Sequence, residues 1–217
     1  SANGLKSFAV LYEESDYPRP QAEKLKVLIE QNKQELRLYD GLLPGETDFK
    51  SILIKLKQLR PDALYLATIS PDVAVLIMRQ IRELHLNLPI FGNENTGYAV
   101  NHSSANKADF EGLTFAASKT GDDEPKVKAF KERFLKTYKV EELPYGYYTA
   151  ESYDTLMLLA GVIRRCGAQV EAVKKCLYGI KDYEGASGRF SIDQNGDAVR
   201  EYQMLKVVSG KVTPVLE

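Results

Sequence analysis

The segment YEGASGRFSIDQNGD, residues 183–197, combines closely spaced glycines with carboxylates, and three kinds of chemistry need such residues. Glycines that bring backbone amides together can cradle a phosphate. A loop rich in carboxylates can bind calcium. The same residue types also form tight turns. These interpretations make the chain an enzyme, a metal-binding protein or neither of the two.

The first two interpretations fail on position and composition. Counted from Asp193, a calcium loop of the EF-hand type needs glycine sixth and glutamate twelfth, but the glycine arrives early, as Gly196, and the twelfth residue is Met204. The run EGASG lacks the lysine and the following helix of a phosphate loop. We therefore predict turn chemistry: Asn195-Gly196 joins two strands, and the glycines of EGASG let the chain bend before Phe190.

The other residue types used in catalysis have no partners at useful spacing. His85 and His102 are the only histidines, and neither is spaced to bind a metal. No GxGxxG, GxxxxGKS/T or GxSxG motif follows a strand. The sequence thus predicts no enzyme, no cofactor and no metal site. The only cysteines, Cys166 and Cys176, are ten residues apart, which suits both a disulfide and two buried free thiols.

Composition narrows the class further. Of the 217 residues, 44% are hydrophobic and 27% are charged, which suits a globular protein with a sizeable core. The net charge of −1 gives no reason to expect a nucleic acid or an anionic membrane as partner. No apolar run approaches the ~20 residues of a membrane span. The opening SANGLKS lacks the features of a signal peptide, as expected of a processed or shortened chain.

The elements that must position these residues differ between the two halves of the chain. The first half alternates strands and helices, which predicts a doubly wound α/β domain with a parallel sheet. In the second half Pro144 and Gly146 interrupt the pattern, which indicates a crossing between lobes. The predicted strands are 7–12, 35–39, 63–67, 89–91, 112–117, 189–192, 201–208 and 212–215. The predicted helices are 20–32, one capped by Thr47, 71–84 with Ser70 as its N-cap, 125–138, 148–165 and 170–177.

The strand ends indicate where a ligand would bind. In open parallel sheets, ligands bind beyond the carboxyl ends of the strands. The loops at these ends are residues 13–19, 92–98, and the short loop formed by Thr68, Ile69 and Ser70. We expect the candidate site to be built from these three loops.

The run KDYEGASGRFSIDQNGD, followed by YQMLKVVSGKVTPV, resembles the C-terminal signature of the branched-chain amino acid-binding family of type I periplasmic solute-binding proteins. The segment FAVLYEESDYPRPQAEKLK is similar to the family's strand, its D-Y-G loop and the helix after it. The segment from LLPGETDFK to LPIFGNE looks like the next two repeats. The resemblance covers essentially the whole chain, and its specificity comes from the order and spacing of the segments.

The resemblance implies two α/β lobes joined by three crossings. Residues 5–143 with 200–217 would form the second lobe, and residues 146–199 would be the returning segment of the first lobe. The N-terminal part of the first lobe would not belong to this chain. Helix faces that cover its sheet would then be exposed and apolar, which predicts self-association or a rearranged packing.

The function implied by the resemblance is binding without catalysis. A small amino acid or a related carboxylate would be captured between the lobes by hinge closure and delivered to the membrane permease of an ABC transporter. The setting would be periplasmic or otherwise extracytoplasmic, which favours a Cys166–Cys176 disulfide. The alternative is an extracellular ligand-sensing domain of a receptor, which uses the same lobes.

The family's ligand-contacting positions match Tyr17, Ile69 and Glu94 in this sequence. Glu94 would accept a hydrogen bond from the ligand's ammonium group, and Tyr17 would supply a ring face and a hydroxyl. Ile69 departs from the aromatic residue of some members, and Pro18 replaces the usual glycine of the first loop. The groups that hold the ligand's carboxylate would come from the first lobe, outside this chain.

Overall fold

The computed structural model describes residues 4–119, 121, 123–144 and 147–215, so the predicted break at Gly146 lies outside the described residues. The strands are β1 (Ser7–Glu13), β2 (Glu35–Leu42), β3 (Ala63–Ala67), β4 (Ile90–Gly92), β5 (Thr114–Ser118), β6 (Tyr183–Gly185), β7 (Gly188–Ile192), β8 (Ala198–Val199), β9 (Tyr202–Val208) and β10 (Lys211–Pro214). The helices are α1 (Pro18–Gln31), α2 (Lys50–Leu59), α3 (Pro71–Glu83), α4 (Glu94–Tyr98), α5 (Pro125–Tyr138), α6 (Tyr147–Cys166) and α7 (Val170–Tyr178).

The chain divides into two compact units. One contains the residues up to Ala117 and those from Gln203 onward, and the other is Ser118–Tyr202. This division differs from the lobe boundary expected near residue 143, because α5 packs within the second unit. The rings of Phe130 and Tyr153 lie 4.9 Å apart, and Lys126 donates a hydrogen bond to the carbonyl of Glu184 at 2.9 Å.

The first unit is built on a seven-stranded sheet of order β10-β9-β5-β4-β3-β1-β2. β1 runs parallel to β2 and β3, and β3–β4 and β4–β5 are also parallel pairs. β9 and β10 form an antiparallel hairpin. The predicted α/β fold with a parallel sheet is thus confirmed, with a hairpin added at one edge.

The strand β1, which lies between β3 and β2, is buried on both of its faces. Ala9 and Leu11 belong to a core cluster that contains residues of α2 and α3, while Val10 and Tyr12 belong to a second cluster with residues of α1. Successive side chains of a strand point to opposite faces of the sheet. Helices therefore cover both faces, as a doubly wound sheet requires.

Two predicted helix starts are wrong. α1 begins at Pro18, two residues earlier than predicted: both Pro18 and Pro20 suit the first turn of a helix, and the chain uses the earlier one as its start. Thr47 does not cap α2, which starts at Lys50. The buried side chain of Gln80 binds this segment instead, because its Oε1 accepts from the Phe49 amide at 2.8 Å and its Nε2 donates to the Thr47 carbonyl at 2.9 Å.

The second unit combines α5, α6 and α7 with the antiparallel sheet β6-β7-β8. Its core cluster consists of Val162, Ile180, Phe190 and Ile192. A disulfide joins Cys166 at the end of α6 to Cys176 in α7, with their Cα atoms 6.5 Å apart.

The run EGASG forms a two-residue hairpin turn between β6 and β7, in which Gly185 pairs with Gly188. The turn amides do bind an anion, but the anion is the buried carboxylate of Asp154 on α6. It accepts hydrogen bonds from the amides of Ala186 and Ser187 and from the Ser187 hydroxyl, each at 2.7 Å. A Cβ atom at Gly185 would overlap the Asp154 carboxylate, which explains the glycine.

The predicted turn at Asn195-Gly196 is confirmed, since it connects the paired strands β7 and β8. The Asp193 carboxylate accepts hydrogen bonds from the amides of Asp197 at 2.9 Å and Asn195 at 2.8 Å. These donors hold the pKa of Asp193 below its usual value. Gly196 has φ +92°, which a residue with a side chain rarely adopts.

One face of α6 carries exposed apolar side chains. Leu156, Leu159 and Ile163, which we call the α6 stripe, recur at helical spacing and are between 39% and 67% exposed. The exposed apolar face predicted for the second half is therefore present. No helix in the described part of the chain is long and apolar enough to cross a membrane.

Candidate functional site

The three predicted loops lie beyond the carboxyl ends of adjacent strands. They follow β1, β3 and β4, which are neighbours in the sheet and run parallel. The carboxyl ends of parallel strands meet at one edge, so the loops share that edge.

The last residue of β1 ties the first loop to the second. Glu13 is buried, and its Oε2 accepts hydrogen bonds from the amides of Ile69 and Ser70, both at 2.9 Å. Its Oε1 accepts from the Ser70 hydroxyl at 2.6 Å. Ser70 therefore occupies the predicted N-cap position of α3, but its side chain binds Glu13 rather than a helix amide.

The second and third loops are joined through Thr68, which is fully buried. Its hydroxyl lies 3.0 Å from the Thr96 hydroxyl, and its amide donates to Thr96 Oγ1 at 3.1 Å. The hydroxyls of Thr68 and Ser70 are thus engaged within the protein. Ligand contacts by these two residues remain predictions, and the observed bonds position the loop.

The residues matched to ligand contacts differ in exposure. Tyr17 is 40% exposed and Ile69 is 43% exposed, whereas Glu94, the first residue of α4, is 9% exposed. A buried carboxylate beside exposed apolar side chains can receive a cationic group and shield it from water. Their roles as ligand contacts remain predictions.

A tyrosine lies beneath this edge. Burial raises the pKa of Tyr65, on β3, to about 12, and the neighbouring Tyr17 adds to the shift. Tyr17 therefore lies near enough to Tyr65 to influence its ionisation. The ring of Tyr12, on β1, lies 5.2 Å from the ring of Tyr39, on the neighbouring strand β2.

The electrostatics of this edge favour a cation. The amides that lead into α3 would attract an anion, but Glu13 already occupies them. The anion-binding amides of this edge are therefore already engaged by an internal carboxylate. Sequence reasoning missed both Glu13 and the short helix α4, although Asn93 before ENT carries the N-cap signal that could have located α4.

The described residues contain no group of three or more His, Cys, Asp or Glu arranged to hold a metal ion. His102 does lie near a serine and an aspartate. However, Ser104 Oγ at 2.8 Å and Asp72 Oδ1 at 3.7 Å both approach the same ring nitrogen, Nδ1. A catalytic triad uses the two nitrogens separately, so this cluster cannot relay a proton in that way.

Comparison with known proteins extends these observations. A family model described as periplasmic binding protein matches residues 1–211. A leucine-, isoleucine-, valine-, threonine- and alanine-binding protein of Pseudomonas aeruginosa is 25% identical over 193 residues, which is 88% of this chain and 50% of that protein. The chain spans about half the length of the curated relatives it matches.

Solved structures share the fold. A leucine-binding protein LivK of Thermotoga maritima superposes on this chain with a TM-score of 0.84 at 23% identity. The match covers all of this chain and 61% of the LivK chain. The branched-chain amino acid transporter substrate-binding protein LivJ of Streptococcus pneumoniae, in complex with isoleucine, has a TM-score of 0.77 at 25% identity and covers 96% and 58%. The match over residues 1–211 shows that the chain belongs to the periplasmic binding protein family.

Proposed function

We propose that this chain is part of an extracytoplasmic solute-binding protein that captures a small amino acid or related carboxylate for an ABC transporter. The observation that carries the proposal is the carboxyl edge of the first unit. There a buried carboxylate, Glu94, shares an edge with the exposed Tyr17 and Ile69. The names of the relatives, which bind leucine, isoleucine and valine, support the same ligand class.

Each residue has a separate task in the proposal. Glu94 accepts hydrogen bonds from the ammonium group of the ligand, because a buried carboxylate gains most from a charged donor. Tyr17 covers the ligand with its ring, and Ile69 contacts the ligand's side chain. Since Glu13 occupies the amides that lead into α3, the ligand's carboxylate is held by groups outside this edge.

The partner is then the membrane permease of an ABC transporter, and the cycle is capture and release without covalent chemistry. We propose no cofactor, metal or nucleic acid in this cycle. The extracytoplasmic setting agrees with the bond between Cys166 and Cys176, since disulfides persist in oxidising compartments.

The test is a pair of matched ligands. Leucine and 4-methylpentanoate, which is leucine without its amine, are titrated into the labelled chain and followed by amide chemical shifts in nuclear magnetic resonance (NMR). We expect leucine to shift the amides of residues 17, 69 and 94 and to bind at least tenfold more tightly than the acid. A charge-assisted hydrogen bond contributes about 1.5–3 kcal/mol, which is roughly a 10- to 150-fold change in affinity.

Two variants decide whether Glu94 is responsible for the preference for leucine over 4-methylpentanoate. Glu94→Gln keeps the shape and removes the charge, so it should abolish the preference for leucine. Glu30→Gln removes the same charge from an exposed position of α1 and should leave the preference intact. Equal affinity of leucine for Glu94→Gln and for the unaltered chain would contradict the assignment, and no shift with any amino acid would contradict the ligand class.

A further inference from the structure

The side chain of Asn93, which is 6% exposed, joins two of the candidate loops to each other and to helix α1, which follows the first loop. Its Oδ1 accepts hydrogen bonds from the Thr96 amide at 3.0 Å, the Thr96 hydroxyl at 2.8 Å and the Thr68 amide at 3.3 Å. Its Nδ2 donates to the Thr68 carbonyl at 2.9 Å and to Gln21 Oε1 at 3.1 Å. Both hydrogens of the amide group and its oxygen are therefore used.

This combination of bonds needs an amide at position 93. An aspartate has acceptors but no donors, so it would set a carboxylate oxygen against the Thr68 carbonyl, which cannot become a donor. A serine cannot supply two donors. Alanine would remove the donor that Asn93 supplies to the buried Thr68 carbonyl, and it would leave the Thr68 amide with Thr96 Oγ1 as its acceptor. The loss of a partner is costly in an interior.

Close packing prevents α4 from adjusting. A Cβ atom at Gly92 would lie 3.1 Å from Thr96 Cβ, and one at Gly97 would overlap the ring of Phe115. The two glycines, Gly92 in β4 and Gly97 in α4, thus allow α4 to pack closely against its neighbours, and Asn93 caps the start of this helix. A shift of the Asn93 side chain would therefore be transmitted to the loops rather than absorbed by α4.

The residues that Asn93 binds are sequence neighbours of the proposed ligand contacts. Glu94 follows Asn93 directly, Ile69 follows Thr68, and Gln21 lies one helical turn after Tyr17. We propose that Asn93 is a positioning residue that holds Tyr17, Ile69 and Glu94 in a fixed mutual arrangement. The consequence for ligand affinity rests on the proposed function, whereas the positioning itself does not.

Amide hydrogen exchange of the ligand-free chain, followed by NMR, tests the positioning. In Asn93→Ala and Asn93→Asp we expect the Thr68 amide to exchange at least tenfold faster, while amides in the middle of β1 keep their rates. Thr96→Val removes the hydroxyl at nearly constant shape and should also accelerate Thr68, whereas Thr96→Ser retains the hydroxyl and should not. An unchanged Thr68 rate in Asn93→Ala, or equal acceleration throughout the first unit, would overturn the proposal.

Asn106 provides the matched control, because it also caps a short helix in the first unit through its side chain. Asn106→Ala should leave Thr68 unaffected. The leucine titration then separates the two proposals. If leucine binds, Asn93→Ala should weaken it about tenfold although Glu94 is intact, and unchanged affinity would overturn the role of Asn93 in binding. If leucine does not bind, the proposed function fails, and the exchange rates still decide whether Asn93 positions the loops.

Discussion

Two buried carboxylates, Asp154 and Glu13, each accept three hydrogen bonds, yet we expect them to respond differently to amide substitution. In Glu13→Gln the side-chain oxygen of the glutamine can take the place of Oε2 and keep the hydrogen bonds from the backbone amides of Ile69 and Ser70. The new NH2 group then faces the Ser70 hydroxyl, which can reverse its role and accept. All three bonds survive, and only their charge assistance is lost.

Asp154→Asn offers no such rearrangement. The two oxygens of Asp154 each face a backbone amide, those of Ala186 and Ser187. A backbone amide cannot become an acceptor, so either orientation of the asparagine sets NH2 against N–H. Gly185 lies directly against the carboxylate and leaves no room for withdrawal. One buried donor is therefore left unsatisfied.

The magnitudes follow from the numbers of bonds kept and lost. Loss of charge assistance alone should cost about 1 kcal/mol in Glu13→Gln, while an unsatisfied buried donor together with that loss should cost about 3 kcal/mol in Asp154→Asn. Native-state hydrogen exchange gives a local opening free energy for each unit. We therefore expect the amides of β1 and β3 to exchange about 5-fold faster in the first variant and those of β6 and β7 about 150-fold faster in the second.

The exposed Asp197 belongs to the same unit as Asp154 and serves as control, since Asp197→Asn should change neither rate. Equal costs for Glu13→Gln and Asp154→Asn would show that reversal of the Ser70 hydroxyl makes no difference to stability, contrary to this prediction. A larger cost for Glu13→Gln would contradict it as well.

Three further predictions concern other parts of the chain. Reduction of the Cys166–Cys176 disulfide, whose cysteines are ten residues apart, should lower the opening free energy of α7 by about 2.5 kcal/mol. Hydrogen exchange with and without reductant measures this change, and a double variant with serine at both positions is the control. Because the pKa of Tyr65 is raised to about 12, the unfolded chain loses the Tyr65 proton at lower pH than the folded chain does, and the first unit should lose about 1.4 kcal/mol of stability per pH unit between pH 10 and 12. Denaturant midpoints should therefore fall more steeply with pH for the unaltered chain than for Tyr65→Phe. Parallel plots of midpoint against pH would contradict the raised pKa. The α6 stripe should drive self-association, which light scattering detects as a mass above that of the monomer. Leu156→Lys should restore the monomer mass, whereas Leu43→Lys, at a position of similar exposure in the first unit, should not. A monomeric chain at all concentrations would contradict the prediction.

The sheet and its candidate loops were predictable because their signals are local. Alternating strands and helices indicate a parallel sheet, and the strand-end rule then selects the loops before any residue role is known. The bounds of α5 were predicted correctly, but not its association with the second unit. Its aromatic side chains show which face is apolar, and they do not show which apolar surface that face will meet.

The polar contacts that shape the site could not be predicted in the same way. Asp154 lies 32 residues before Ala186 in the chain, and Glu13 lies 56 residues before Ile69. The sequence excluded a phosphate cradle in EGASG from its missing lysine, but a carboxylate that fills the turn from a distant helix leaves no local trace. Thr47 shows the converse case, because a favourable cap residue was overridden by the distant side chain of Gln80.

The two carboxylates also bear on ligand choice. Each fills a set of backbone amides that would otherwise attract an anion: Glu13 does so ahead of α3, and Asp154 does so in the hairpin turn of the second unit. The carboxylate of an incoming amino acid would have to displace a buried internal one at either place, and it would meet like charge on approach. An ammonium group instead carries the charge opposite to that of the Glu94 carboxylate, so the two attract. The first unit should therefore discriminate on the cationic end of its ligand, which is why the comparison of leucine with its amine-free analogue probes the arrangement more directly than a series of side chains.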